Sequence, residues 1–218
     1  MSLEVSILAI AVGGYLIGSL SFAVIVSRLM GLDDPRTYGS QNPGATNVLR
    51  SGNKKAAIAT LLFDALKGFV PVFLVKLVGP AWGVDDQAVA LVAIGAFLGH
   101  LWPVFFRFQG GKGVATAAGV LLGIEPVLGL LVLLTWLAVA FVTRYSSLAA
   151  LLASILSPAY YLMGDTVLWH TSEAELLAVM VMSVLLVARH KDNITRLLTG
   201  QESKIGAKKE AETSSSSS

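Results

Sequence analysis

The sequence predicts an all-α integral membrane protein: a seven-crossing helical bundle with its N-terminus outside, its C-terminus cytoplasmic and one short helix. Three observations predict it. First, 55% of the 218 residues are hydrophobic, only 14% are charged, and the mean hydropathy is +0.72. Soluble domains carry about one-quarter charged residues, so this is a membrane composition. Second, long apolar runs recur along the chain, separated by short polar turns. Third, fourteen of the sixteen Lys and Arg residues fall in segments that seven crossings place on one side. The opposite side receives Asp85, Asp86, Glu125, Asp165, Glu173 and Glu175 and no cation. With six crossings Arg144 and the C-terminal cations would change sides, and the separation required by the positive-inside rule would collapse.

The elements follow in order. Residues 5–26 form a first span; no basic region precedes it and no small-residue cleavage site follows it, which argues against a removable signal peptide. A polar stretch runs from Arg28 through Lys54 and Lys55. Span two covers residues 56–78 and contains Asp64, Lys67 and Pro71; the two charges stand one helical turn apart, so mutual neutralisation is their first explanation. Span three covers 88–106, with His100 and Pro103 near its end. The next apolar run, 114–142, is too long for one straight span through a core of about 30 Å. Gly123, Glu125 and Pro126 divide it into a short helix and a normal one. Runs at 148–163 and 176–188 complete the bundle. Residues 1–202 are expected to form a single domain, and 203–218, ending in a serine run, a polar tail either disordered or of artificial origin.

Four polar segments reach the cytoplasmic side: the Ser40 loop, the Gly110 loop, the Arg144 turn and the His190 tail. Gly39 to Arg50 gathers Ser40, Asn42, Thr46, Asn47 and Arg50 around an Asn-Pro-Gly turn. Pro fixes φ and Gly accepts conformations that other residues avoid, so backbone N–H groups there are free to face an anion or a polyol. Gly110-Gly111-Lys112-Gly113 precedes a helix, where exposed N–H groups and the helix dipole favour a phosphate. It lacks Walker A spacing. His190 and Asn193 stand three residues apart, flanked by Arg189 and Arg196, and share one helix face. His100 either lines the same site or caps a helix end disturbed by Pro103. Arg144 with Ser146 and Ser147 offers a further phosphate contact or a headgroup anchor. His170, beside Trp169, reads as interfacial. With no cysteine and only three histidines, no metal site is expected.

Taken together, these blocks resemble the bacterial acyl-phosphate-dependent glycerol-3-phosphate acyltransferases. The resemblance rests on four segments. They are Gly39-Ser40-x-Asn42-x-Gly44-Ala45-Thr46-Asn47-x-x-Arg50, then Gly99-His100-x-x-Pro103, then Gly110 to Thr116, then His190-x-x-Asn193-Ile194-x-Arg196-Leu197-x-x-Gly200-x-Glu202. It implies an inner-membrane enzyme that moves a fatty acyl group from acyl phosphate to the 1-hydroxyl of glycerol 3-phosphate. The products would be lysophosphatidic acid and phosphate. Expected partners are these two substrates and the lipid bilayer, with no cofactor, nucleic acid or obligatory protein partner.

Catalytic roles are expected for Ser40, Lys112, His190 and Asn193. Substrate binding is expected for Asn42, Thr46, Asn47, Arg50, His100, Gly110, Gly111, Gly113, Arg144 and Ser147. The His-x4-Asp pattern of other glycerolipid acyltransferases is absent, because Phe105, Glu175 and Thr195 stand where Asp would be. Acyl phosphate is already an activated anhydride, so positioning and charge stabilisation can supply much of the rate. The general base is then either His190 or a substrate phosphate oxygen. An anion transporter, the main rival, predicts internal repeats and access from both faces. No repeat is visible and the polar chemistry is one-sided. A metal-dependent phosphatidyltransferase would need clustered Asp residues that Asp33, Asp34 and Asp64 do not supply.

Overall fold

A computed structural model describes residues 3–206. It contains ten α-helices among those residues: α1 (Leu3–Gly18), α2 (Phe22–Leu29), α3 (Ala45–Leu49), α4 (Lys54–Val78), α5 (Asp86–Leu101), α6 (Val114–Ile124), α7 (Pro126–Thr143), α8 (Ser146–Met163), α9 (Glu173–Arg189) and α10 (Lys191–Leu198). Short 3-10 turns follow α4 and α5. Four segments are long and apolar enough to cross a bilayer, and α1 with α2 makes a fifth if that bent pair is one span. α6 has 11 residues, and at about 1.5 Å per residue it is far shorter than a bilayer core.

The long apolar run does divide at Glu125. Ile124 ends α6 and Pro126 opens α7, where a missing N–H costs nothing. Lys76 secures the break by donating to the Ile124 carbonyl and pairing with Glu125 at 2.7 Å.

The first span departs from expectation. It is not one helix over 5–26 but two, broken at residues 19–21 and bent by 41°. The reason lies on α4. Lys67 is 4% exposed, pairs with Asp64 at 2.7 Å, and donates to the Leu20 carbonyl at 2.7 Å. A carbonyl released from helical bonding needs a donor at membrane depth, and Lys67 is that donor. The charges in span two thus neutralise each other and hold the break open.

Close helix packing relies on small residues. Gly14 and Gly18 of α1 lie against Val92 and Ala96 of α5, and Gly68 of α4 lies against Thr116 of α6. Such contacts let backbones approach where lipid supplies no hydrophobic drive. The main core includes Val72, Phe97, Leu101, Val120, Ile124, Leu128 and Leu186. A second cluster of Ala23, Val26, Val48, Ala56 and Ala57 joins α2, α3 and α4, and so seats the polar 39–50 segment on the bundle. Outward faces carry exposed apolar side chains such as Leu134, Leu137 and Phe141 of α7. The expected 203–218 tail falls mostly outside the described residues. Within them, Ile205 exchanges hydrogen bonds with Arg144, its N–H meeting the Arg144 carbonyl at 2.7 Å and its carbonyl accepting from Nη2 at 2.9 Å.

Candidate active site

The Gly110–Gly113 loop is built by its neighbours. Gly111 N–H donates to the His100 carbonyl at 3.1 Å. A side chain at Gly110 would run into the backbone carbonyls of His100 and Leu101, so only glycine lets the loop approach α5 this closely. From the other side Arg189 donates to the Gly110 and Gly111 carbonyls at 3.1 to 3.2 Å. With the Gly110 and Gly111 carbonyls and the Gly111 N–H occupied, the loop is left with the N–H groups of Lys112 and Gly113 and with the Lys112 side chain. Gly113 opens α6 at φ +87, with no side chain to cap the helix, so the dipole end stays open to an anion.

Lys112 donates to the Asn193 Oδ1, and Asn193 Nδ2 donates to Glu202 at 2.7 Å. Ser147 and Arg196 also donate to Glu202, at 2.6 and 2.8 Å. Burial resists ionisation of Glu202, but these three donors outweigh it and keep its pKa below the usual carboxylate value. Burial likewise pushes Lys112 down to about 8, with Arg196 adding to the effect and Glu202 opposing it.

His190 stands at the junction of α9 and α10 and is 3% exposed. Its Nδ1 lies 2.8 Å from the Leu186 carbonyl. A carbonyl oxygen only accepts, so Nδ1 carries the proton and Nε2 keeps a lone pair. Burial pushes the imidazole pKa down to about 4, Lys112 adds to this, and the bond to Leu186 opposes it. At neutral pH His190 is therefore uncharged.

The 39–50 segment faces this group. Buried Asn47 staples it, donating to the Pro35 and Tyr38 carbonyls at 2.7 and 3.1 Å and accepting from Ser40 N–H at 3.0 Å. Arg50 reaches the same Asn47 oxygen at 3.3 Å. Ser40, Thr46 and Arg50 are exposed and Asn42 is half-buried. The Pro43 carbonyl abuts Gly111, and Thr46 Oγ1 lies 3.4 Å from Ser146 Oγ. Two contacts thus join the 39–50 segment to the glycine loop and to the start of α8.

Not every expected residue faces the same space. Asn47 is occupied with bracing its own segment. The Arg144 guanidinium bonds Ile205. His100 is buried beneath the loop, with Nδ1 at 3.1 Å from Thr116 Oγ1 and 3.7 Å from Asp64. Three contributors had no assigned role: Arg189 and Arg196, expected only as flanking cations, and Glu202. Glu202 closed the last sequence pattern, but nothing in the sequence said that a residue nine positions beyond Asn193 folds back onto it.

The family profile described as glycerol-3-phosphate acyltransferase matches residues 8–200. The chain belongs to the glycerol-3-phosphate acyltransferase family. A relative of that name from Paraburkholderia phytofirmans is 62% identical over 207 residues, covering 94% of each chain. Another, from a Janthinobacterium species, is 63% identical over 201 residues, covering 91% of this chain and 96% of its own. Among solved structures, the glycerol 3-phosphate form of PlsY, an integral membrane glycerol 3-phosphate acyltransferase, is 37% identical. It superposes with a TM-score of 0.83 over 92% of this chain and 96% of that one. The lysophosphatidic acid form of the same enzyme gives a TM-score of 0.79.

Proposed function

We propose that this membrane protein transfers a fatty acyl group from acyl phosphate to the 1-hydroxyl of glycerol 3-phosphate, releasing lysophosphatidic acid and phosphate. The observation that carries this reading is the convergence of Lys112, Asn193, neutral His190 and the glycine loop at one end of the bundle, in a chain of this family. Two phosphate-bearing substrates need cations and free N–H groups, and a hydroxyl nucleophile needs a base that is neutral at working pH.

In the proposed step the glycerol 1-hydroxyl attacks the acyl carbonyl carbon. The new ester C–O bond forms as the C–O bond to the leaving phosphate breaks. His190 Nε2 takes the hydroxyl proton and returns it to the departing phosphate, which leaves as the hydrogen phosphate ion. Lys112 and the N-terminus of α6 stabilise charge on phosphate oxygens, Asn193 orients the acceptor or polarises the carbonyl, and Ser40 and Arg50 hold the second phosphate from the facing segment. Asn42, Thr46 and Ser147 complete the binding wall, while Asn47, His100 and Arg144 act from behind it. No acyl-enzyme is invoked, because the donor is already activated.

The same proposal includes seven crossings, an outer N-terminus, and a site at the cytoplasmic face of a bacterial inner membrane. The asymmetric cation distribution supports it, with α6 and α9 supplying the crossings beyond the bent pair and the four long spans. The test is direct. Purified protein is incubated with palmitoyl phosphate and glycerol 3-phosphate, and phosphate and lysophosphatidic acid are followed together, with palmitoyl-CoA as competing donor. Equal release of both products from acyl phosphate alone is expected. Product from palmitoyl-CoA, or phosphate release without acylated product, overturns the donor or the transfer.

A further inference from the structure

Two adjoining concavities of about 510 and 430 Å³ lie beside the glycine loop and share Asp34, Arg36 and Phe106, so they form one groove. Arg28 lines one end, Arg36 the middle and Arg107 the other end. Only Arg36 is matched: Asp34 accepts from its Nε and Nη2 at 2.6 to 3.2 Å. Arg28 and Arg107 are exposed, and neither side chain has a hydrogen bond or ion pair among the described residues. The backbone at Arg107 and Phe108 holds two successive positive φ values, 54 and 58. L-residues avoid that region, and such conformations cluster at ligand sites. Here the Pro103 carbonyl holds the turn, accepting from Phe106 and Phe108 N–H at 3.1 and 2.9 Å.

We propose that this groove is a binding site for the headgroup of an anionic bilayer phospholipid, distinct from the Lys112 site. An unmatched guanidinium at each end of the groove gives an anionic headgroup a cation to pair with. Besides Asp34, Thr37 and Gln109, the remaining walls are hydrocarbon. Val24 and Leu32 line the Arg28 end, and Phe105 and Phe106 line the centre. A soluble phosphate gains nothing from those walls, whereas a lipid covers them with its glycerol backbone and upper acyl chain. Arg28 stands in the last turn of α2, one half of the bent first span, so the groove lies at the level where that pair ends. At its far end Gln109 precedes Gly110, so the bound lipid borders the active site without entering it.

The test uses the full chain purified into micelles holding equal amounts of phosphatidylglycerol and phosphatidylcholine with matched acyl chains. Retained lipid is counted by native mass spectrometry. Cations near a membrane surface each favour anionic lipid by about fivefold, so retention should favour phosphatidylglycerol by about 5- to 25-fold. Arg28→Gln with Arg107→Gln should bring that ratio to about 1, while KM for glycerol 3-phosphate stays within about twofold of wild type. Arg28→Lys with Arg107→Lys should keep most of the preference. If the double Gln variant does not fold, each single variant makes the same comparison. Three results overturn the proposal: no preference in wild type, an unchanged preference in the Gln variants, or displacement of the bound lipid by lysophosphatidic acid or glycerol 3-phosphate. The last result would assign the groove to the active site.

Discussion

Lys112 and His190 respond to the same burial with opposite consequences for charge. Burial makes His190 a neutral base down to a pH of about 4, and makes Lys112 a cation that is half discharged near pH 8. The signs fix a pH profile. Below pH 7 His190 stays deprotonated, so the acid limb of kcat/KM should follow the second ionisation of the substrate phosphates, near about 6. Above pH 8 Lys112 loses its proton, and kcat/KM should fall. A kcat/KM titration from about pH 5 to 10 checks both limbs, since this parameter reports groups of the free enzyme and substrate. Lys112→Arg cannot discharge in that range and should remove the alkaline limb, though it fits the Asn193 contact less well and should lower the plateau. An alkaline limb that survives in Lys112→Arg would show that another group sets it. His190→Gln keeps size and polarity but not the base. It should lower kcat by about 10² to 10⁴ and leave KM for glycerol 3-phosphate nearly unchanged. A KM effect alone would recast His190 as an anchor.

At the scale of elements, the candidate site is two loops held against each other at one close contact. Gly111 is the contact point, because an added methyl would meet His100 Nε2 and the Pro43 carbonyl together. Gly111→Ala should therefore separate the loops and raise KM for glycerol 3-phosphate by about tenfold or more, read from initial rates at saturating acyl phosphate. Beneath the loops, Asp64 and Lys67 clamp the α1–α2 break. Removing one partner leaves a buried charge, so Asp64→Asn or Lys67→Met alone should destabilise by about 3–5 kcal/mol. The double variant should lose less than the sum of the singles, and unfolding in mixed micelles measures the difference. Additive losses would mean that the two residues act independently.

This scale also shows where the sequence was readable. The division at Glu125-Pro126 was visible because a charge and a proline interrupt an apolar run. The break at residues 19–21 was not, since Gly18-Ser19 only permits a kink and the group that fixes it, Lys67, stands on another helix. The glycine loop and the His190–Asn193 pair were singled out by their spacing and by the family resemblance together, each block being weak alone. The return of Glu202 onto Ser147 and the use of Arg144 by Ile205 were not, because both depend on a chain reversal that leaves no local pattern.

At the scale of the whole molecule, the open quantity is how many times the chain crosses. Four segments satisfy length and hydropathy, a bent pair adds a fifth, and α6 and α9 decide between five and seven. Length argues against α6, whose 11 residues reach only about half of a bilayer core. Burial argues for it. α6 lies against α4 through Gly68 and Gly119 and is largely shielded from lipid, so protein rather than bilayer surrounds much of it. Charge argues for it as well, because a chain that did not cross at α6 would put Glu125 on the same side as Lys112. The absence of cysteine makes the question experimentally clean, since each introduced thiol is the only one. Seven crossings predict that Glu125→Cys, Gly83→Cys and Thr166→Cys react with an impermeant maleimide added outside intact cells. Gly52→Cys and Lys191→Cys should react only after permeabilisation. Labelling of Glu125→Cys only after permeabilisation would make α6 re-entrant. The glycine loop would then sit at the mouth of a half-span, and its distance from the cytoplasmic surface would no longer follow from the cation count.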